Sequence, residues 1–340
     1  MFFEFVPAPA SSVAAEASAG SVKCVLCPHR CVLRGNEAGI CKVRTGGDGG
    51  RLPFYGRISS AAVDPIEKKP LFHYHPGESI MSIGFTGCNL RCPFCQNWQI
   101  SQTTEAAGKK IQAEDIVSQT LALGLKHIAY TYSEPFVHAE FVADCMSAAR
   151  DNGISNVLVT NGCVNEEAAR AIIPLADAAN IDLKCFSDYS YKKILGGSLS
   201  AVKDFIKIAA ENIHTEITTL IVPEFNDSER EIDNCTDFIA SISKNIPWHI
   251  SAYHPAYKWN VPPAKTETIL GIKKRARQKL SYCYTGNIND NGNDTLCAGC
   301  GAVLVKRNGY KITKPGLAKK TSGDNSYYCG QCGTRTALLC

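Results

Sequence analysis

Cys88, Cys92 and Cys95 stand in the order C-x3-C-x2-C within one short loop, directly behind the apolar run 80–85, Ile-Met-Ser-Ile-Gly-Phe. That run reads as a strand feeding the loop, and Gly84 and Gly87 permit the backbone to approach something bulky. One turn of chain can therefore aim three thiolates at a common point. A structural zinc site is closed by four ligands, whereas an iron–sulfur cube held by three cysteines keeps one iron open to a further ligand. The run offers no nearby histidine as a fourth ligand. A 4Fe–4S cluster is therefore expected here rather than zinc.

Beyond the loop, short β-branched runs alternate with amphipathic stretches, which is how parallel βα units appear in sequence. Strands are expected at 127–131, 156–160, 179–183, 215–222 and 248–252, with a further edge at 282–285. Helices are expected at 113–123, 137–152, 166–173, 199–212 and 228–244. About six βα repeats result, and a partial (β/α)6 TIM-type barrel is preferred to a doubly wound sheet. Barrel enzymes carry their chemistry on the loops at the strand C-terminal ends. Those loops hold Tyr132, Ser133 and Glu134 before Pro135, then Asn161 before Gly162, then Asp182 and Lys184, which share a face because they are two apart. Glu216 and Thr218 share a face of the next strand, and His254 follows the one after it.

Seventeen cysteines in 340 residues matter through their grouping. Besides the loop, Cys24, Cys27, Cys31 and Cys41 form a Gly-containing knot, for which zinc, a second iron–sulfur cluster and a metal-free lid all fit. Cys297, Cys300, Cys329 and Cys332 form two C-x-x-C-G knuckles, the pattern of a four-thiolate zinc ribbon, with a ferredoxin-like cluster the alternative. Clustered C-x-x-C pairs in an enzyme-sized chain point to metal in a reducing compartment rather than to disulfides, so the cytoplasm is expected. The formal charge of +4 does not argue for nucleic acid or an anionic membrane. Lys306, Arg307, Lys311, Lys314, Lys319 and Lys320 with Tyr310 read as a solvated ribbon surface rather than a nucleic-acid patch. No apolar run approaches the roughly 20 residues needed to span a bilayer. The expected organisation is a disordered tail at 1–20, a Cys-rich segment at 21–75, the barrel at 76–288 and the zinc-ribbon-like module at 289–340.

The triple cysteine spacing, with aromatic Phe94 before the third cysteine, resembles the radical S-adenosylmethionine (SAM) superfamily. The resemblance implies that SAM chelates the open iron and is reductively cleaved to a 5′-deoxyadenosyl radical, which abstracts hydrogen from a substrate. It also implies a flavodoxin- or ferredoxin-type reductant. Phe94, Tyr132, Ser133, Glu134, Asn161 and Glu216 are then the expected cofactor-binding residues, with Tyr132 and Ser133 standing where the superfamily has two glycines. Asp182, Lys184 and His254 are the expected catalytic residues. The D-L-K triplet also occurs in glycyl-radical activating enzymes.

Three further features occur in a fixed order: Cys24-x2-Cys27-Pro28-His29-x-Cys31 with Cys41-Lys42-Val43-Arg44, the loop through Gln96-Asn97-Trp98, and Pro247-Trp248-His249 leading to His254-Pro255. With the ribbon, they resemble the radical SAM member of the AmmeMemoRadiSam system, related to pyruvate formate-lyase activating enzymes. That resemblance implies Memo-type and Ammecr-type partner proteins. One departure is Ala252, where relatives often carry arginine. Glycyl-radical activation is the alternative activity, and a non-catalytic multi-metal binding protein the alternative of another class.

Overall fold

The structure is a computed structural model that describes residues 2–6, 21–103, 108–290, 292–319 and 326–340. Eight strands form its central sheet: β1 (Ser60–Pro65), β2 (Ser79–Gly84), β3 (His127–Thr131), β4 (Ser155–Thr160), β5 (Ala178–Asp182), β6 (His214–Ile221), β7 (Trp248–Ala252) and β8 (Cys283–Gly286). Their order in space is their order in the chain. β1 runs antiparallel to β2, and every later neighbour is parallel. A doubly wound sheet would reverse its order at a switch point. Unbroken order is instead the single winding of a barrel, left open because β1 and β8 are the two edges.

Helices Ala113–Ala122, Ala139–Asp151, Glu166–Ile172, Leu199–Asn212, Glu229–Ile242 and Thr266–Ala276 return the chain between parallel strands. Local chemistry sets their ends. The Ser198 and Ser228 side chains accept hydrogen bonds from the amides of Ala201 and Glu231, each at 3.3 Å, satisfying donors that a helix start leaves free. Leu199, Val202, Phe205, Ile206 and Ala209 then fall on one buried stripe. The parallel strands β2 to β8 are buried along most of their length, as parallel strands covered on both faces are.

The sheet begins earlier in the chain than the boundary expected at residue 76, because β1 belongs to it. Residues 61–63 of β1 are exposed in succession, so its burial does not alternate and its sequence carried no strand signal. The tail expected at 1–20 also begins with order. Phe3–Val6 pairs antiparallel with Ser21–Cys24, and the Phe3 ring lies 4.6 Å from the Arg44 guanidinium carbon. Residues 7–20 lie outside the described residues.

The C-terminal module is built of short strands, Thr295–Leu296, Val303–Asn308 and Lys311–Thr313 in one sheet and Leu317–Lys319 with Tyr327–Cys329 in another. It covers the floor of the barrel, where the parallel strands begin. Arg307 Nη2 donates to the Phe72 carbonyl at 2.6 Å, its guanidinium carbon lies 4.3 Å from the Phe72 ring centroid, and the His75 amide donates to the Leu339 carbonyl at 2.6 Å. The opposite end, where the strands finish, is left open for a site.

Candidate active site

β2 delivers the cysteine loop to the open end of the barrel, and neighbouring elements fix it from several sides. His29 Nε2 lies 2.8 Å from the Asn89 carbonyl, His138 Nε2 lies 2.7 Å from that of Thr86, and the Lys258 amide donates to that of Pro93 at 2.8 Å. Gly87 has φ +87°, and a Cβ there would come within 2.2 Å of Val43 Cγ2 and 2.6 Å of the Cys41 carbonyl oxygen. Only glycine lets the Cys-rich N-terminal segment press against the loop this closely.

All three thiols border a cavity of about 280 Å³. Its wall includes Phe94 and Leu90 from the loop, Tyr132 and Ser133 after β3, Asn161 after β4, Asp182 ending β5 and Lys184 just after it, Thr218 and Leu220 on β6, Ser251 on β7 and Asn287. Thus most of the expected rim residues meet in one place. Asn161 Nδ2 and the Leu90 amide point at Cys88 Sγ from 3.5 and 3.4 Å, and Ser101 Oγ lies 3.2 Å from Cys95 Sγ. Lys184 Nζ and Asp182 Oδ2 form an ion pair at 2.8 Å. Burial by itself would lower the Lys184 pKa, but Asp182 and the nearby Cys92 more than offset it, so the ammonium is held protonated.

Three expected residues lie elsewhere. Glu134 is fully buried beside the cavity instead of lining it. Its Oε1 accepts from Thr160 Oγ1 at 2.7 Å and the Phe136 amide at 3.0 Å, and its Oε2 from the Asn161 amide at 2.8 Å. Burial pushes its pKa up to about 7 despite these donors. The carboxylate thus ties β3 to β4 and aims Asn161. Glu216 sits a layer deeper, near the start of β6, where His249 Nε2 at 2.6 Å, His214 Nε2 at 2.9 Å and the amides of Phe72 and His73 surround it. It belongs to the barrel floor, because strand direction puts the third residue of β6 far from the strand's end. His254 is exposed and absent from the cavity wall.

The residues missed are those that hold Tyr132. Its hydroxyl donates to Asp64 on β1 at 2.5 Å, and Lys69 Nζ lies 4.2 Å from its ring centroid and 2.9 Å from Asp64. Burial would raise the Asp64 pKa, yet the hydrogen bonds from Tyr132 and Lys69 keep it well below the usual carboxylate range. No local pattern announces this trio, since β1 itself was unreadable.

Comparison with known proteins agrees with this geometry. The description "Radical SAM superfamily" fits residues 82–234. An uncharacterised protein of Methanocaldococcus jannaschii is 39% identical over 294 residues, covering 84% of this chain and 87% of that protein. The chain belongs to the radical SAM superfamily. It is also similar to the pyruvate formate-lyase 1-activating enzyme of Escherichia coli, 25% identical over 212 residues that cover 56% of this chain and 85% of that enzyme. Its fold resembles that of Streptococcus suis SuiB, with a TM-score of 0.50 and 14% identity over 66% of this chain and 52% of that one.

A radical SAM protein is an enzyme, and its family implies a 4Fe–4S cluster, SAM and a source of electrons. The thiols present fit such a cluster. A zinc ion about 2.3 Å from each sulfur would keep any two within about 4.6 Å, yet Cys88, Cys92 and Cys95 are not gathered within 4.8 Å of one another. As placed, these sulfurs do not close on a single ion, whereas a cluster of several irons accommodates wider spacing.

The other two cysteine sets differ from each other. Cys24, Cys27, Cys31 and Cys41 line one small closed pocket with His29 and Arg44, but they too are not drawn within 4.8 Å. Burial raises the Cys41 thiol and pushes Cys27 up to about 12. Cys297, Cys300, Cys329 and Cys332 do converge, with 3.6 Å between the Cys297 and Cys332 sulfurs and 3.7 Å between those of Cys300 and Cys329. Four thiolates on a tetrahedral zinc stand about 3.8 Å apart. Among the described residues, no helix is long and apolar enough to cross a membrane.

Proposed function

We propose that this chain is a radical SAM enzyme of the AmmeMemoRadiSam type, in which Cys88, Cys92 and Cys95 hold the 4Fe–4S cluster and the adjoining cavity receives SAM and the substrate. The observation that carries this reading is the opening of all three thiols onto one cavity walled by Asn161, Asp182 and Lys184. When bound, the cluster and SAM supply an electron and a carbon-centred radical that takes hydrogen from the substrate, chemistry that belongs to the cofactor. The chain's residues position and exclude. Asn161 and the Leu90 amide donate toward Cys88, which tunes a sulfur ligand. Lys184, kept cationic by Asp182, is suited to a carboxylate of SAM or substrate. Phe94, 5.1 Å from the Phe225 ring, forms an apolar part of the cavity wall.

The converging C-terminal thiols support a structural zinc there, and the N-terminal set is a weaker metal candidate, needing movement to close on one ion. The segment around 21–59, the barrel from β1 to 288 and the module from 289 are the proposed units. A flavodoxin- or ferredoxin-type reductant, Memo-type and Ammecr-type partners and a cytoplasmic setting complete the proposal. Anaerobic reconstitution followed by an assay for 5′-deoxyadenosine tests it. Wild type should bind iron and cleave SAM, and Cys92→Ala should lose the bound iron and fall to background. An intact cluster that yields no 5′-deoxyadenosine would sink the reading.

Glycyl-radical activation is a second reading, supported by the similarity to the Escherichia coli activating enzyme. It requires a glycyl radical signal in a partner protein once that protein is mixed with reduced enzyme and SAM.

A further inference from the structure

The floor of the barrel holds a second group of ligand-type side chains, remote from the cysteine cavity. His75 and Glu78 precede β2, and His127 is the first residue of β3, so all three sit where parallel strands begin. Glu78 presents Oε2 to His127 Nε2 at 3.0 Å and Oε1 to His75 Nδ1 at 3.5 Å. The two imidazole rings are 4.5 Å apart at 45°. One ligand atom from each residue falls within 4.8 Å of the other two.

We propose that His75, Glu78 and His127 form a divalent-metal site of the zinc class on the barrel floor, beside the C-terminal module. Two imidazoles and a carboxylate are a donor set that suits zinc and its first-row neighbours. The hydrogen bonding of the group is incomplete without an ion. His75 Nδ1 is buried and faces the Glu78 carboxylate, yet makes no hydrogen bond. His127, only 2% exposed, turns Nε2 toward the same carboxylate and leaves its Nδ1 without a partner. A buried imidazole nitrogen without a partner is costly in a protein interior, and metal coordination would satisfy the one on His75.

An ion can enter, since the Glu78 and His75 side chains are 34% and 25% exposed. Three protein ligands leave a position open for water. The site adjoins the module through backbone contacts. The His75 amide donates to the Leu339 carbonyl, and Tyr74 forms a parallel bridge with Leu339. His75 also has φ +43°, a conformation unusual for a side-chain-bearing residue.

The test uses the full chain with its cluster reconstituted, titrated anaerobically with Zn²⁺ against a chromophoric chelator. Wild type should take up one equivalent more than His75→Ala or Glu78→Gln, or bind that equivalent at least about tenfold more tightly, with iron content equal in all three. With Co²⁺ in its place, the wild-type-minus-variant difference spectrum should show d–d bands without sulfur charge transfer for both variants. Thermal unfolding without added metal checks that the variants fold, and added zinc should raise the midpoint of wild type more than that of either variant. His75→Cys, which keeps a zinc ligand, should restore uptake. Equal uptake and equal thermal shifts in wild type, His75→Ala and Glu78→Gln would overturn the site and leave a hydrogen-bonded His–Glu–His cluster.

Discussion

Tyr132 has φ +69°, backbone territory that glycine enters freely and a bulky side chain enters at a cost of about 1 kcal/mol or more. The superfamily resemblance expects glycine there, and the structure shows what retains the tyrosine: a hydroxyl bonded to Asp64 and a ring under Lys69. Two opposed effects follow. Tyr132→Gly should relieve the backbone and lose the anchor, whereas Tyr132→Phe loses only the hydrogen bond while keeping the strain. Tyr132→Phe is therefore expected to lower stability by roughly 1–2 kcal/mol and to weaken SAM binding, as read by urea denaturation and equilibrium dialysis. An unchanged midpoint would mean that the bond to Asp64 contributes nothing.

Glu134 makes a second residue-scale prediction. Its folded pKa of about 7 lies above its ordinary value of 4.5, so the folded state holds a proton that the unfolded state releases between those values. Stability must then fall as pH rises from about 4.5 to about 7, by roughly 3 kcal/mol in the cluster-free protein. Urea midpoints measured across that window should fall less in Glu134→Gln. Parallel profiles would show that the carboxylate is charged throughout.

At the scale of elements, the loop and the N-terminal segment are one device. Gly87 lies against the Cys41 carbonyl, and His29 and Asn89 join the two stretches. Gly87→Ala should cost at least about 2 kcal/mol, combining the positive φ with a clash that backbone cannot relieve. Thermal denaturation reads the stability, and iron retention after gel filtration reads the loop; a variant with wild-type values in both would show that the segment is loosely seated. The seven parallel strands β2 to β8 were legible to about one residue. β3 and β7 begin and end where their β-branched and aromatic runs do. The helix at Thr266–Ala276 was not, because its apolar stripe of Ile269, Ile272 and Ala276 is thin beside four basic residues from 273 to 277.

At the scale of the whole molecule, Arg307 joins module to barrel. It is nearly buried, donates to Phe72, Thr295 and Asn293, and lies over the Phe72 ring. Sequence placed it in a basic surface patch, whereas the fold turns it inward while Lys306 and Lys311 stay exposed; Lys320 lies outside the described residues. Arg307→Met should destabilise the chain by about 2–4 kcal/mol by leaving these carbonyl and hydroxyl acceptors unpaired. Limited proteolysis should then release the module first. Cleavage at the wild-type rate would show that the module is held by other contacts.

The sequence by itself determined what depends on neighbours along the chain: the thiol spacing of the loop, the alternation that makes a singly wound βα barrel, and the paired knuckles of the C-terminal module. Only the tertiary structure decided which polar residues reach the cavity. Asp182 and Lys184 line it, while Glu134 is consumed in tying two strands together and Glu216 is buried among histidines on the floor. Periodicity assigns a residue to a face of a strand but not to a depth along the barrel axis. That depth, and the partners waiting there, are set by elements distant in sequence.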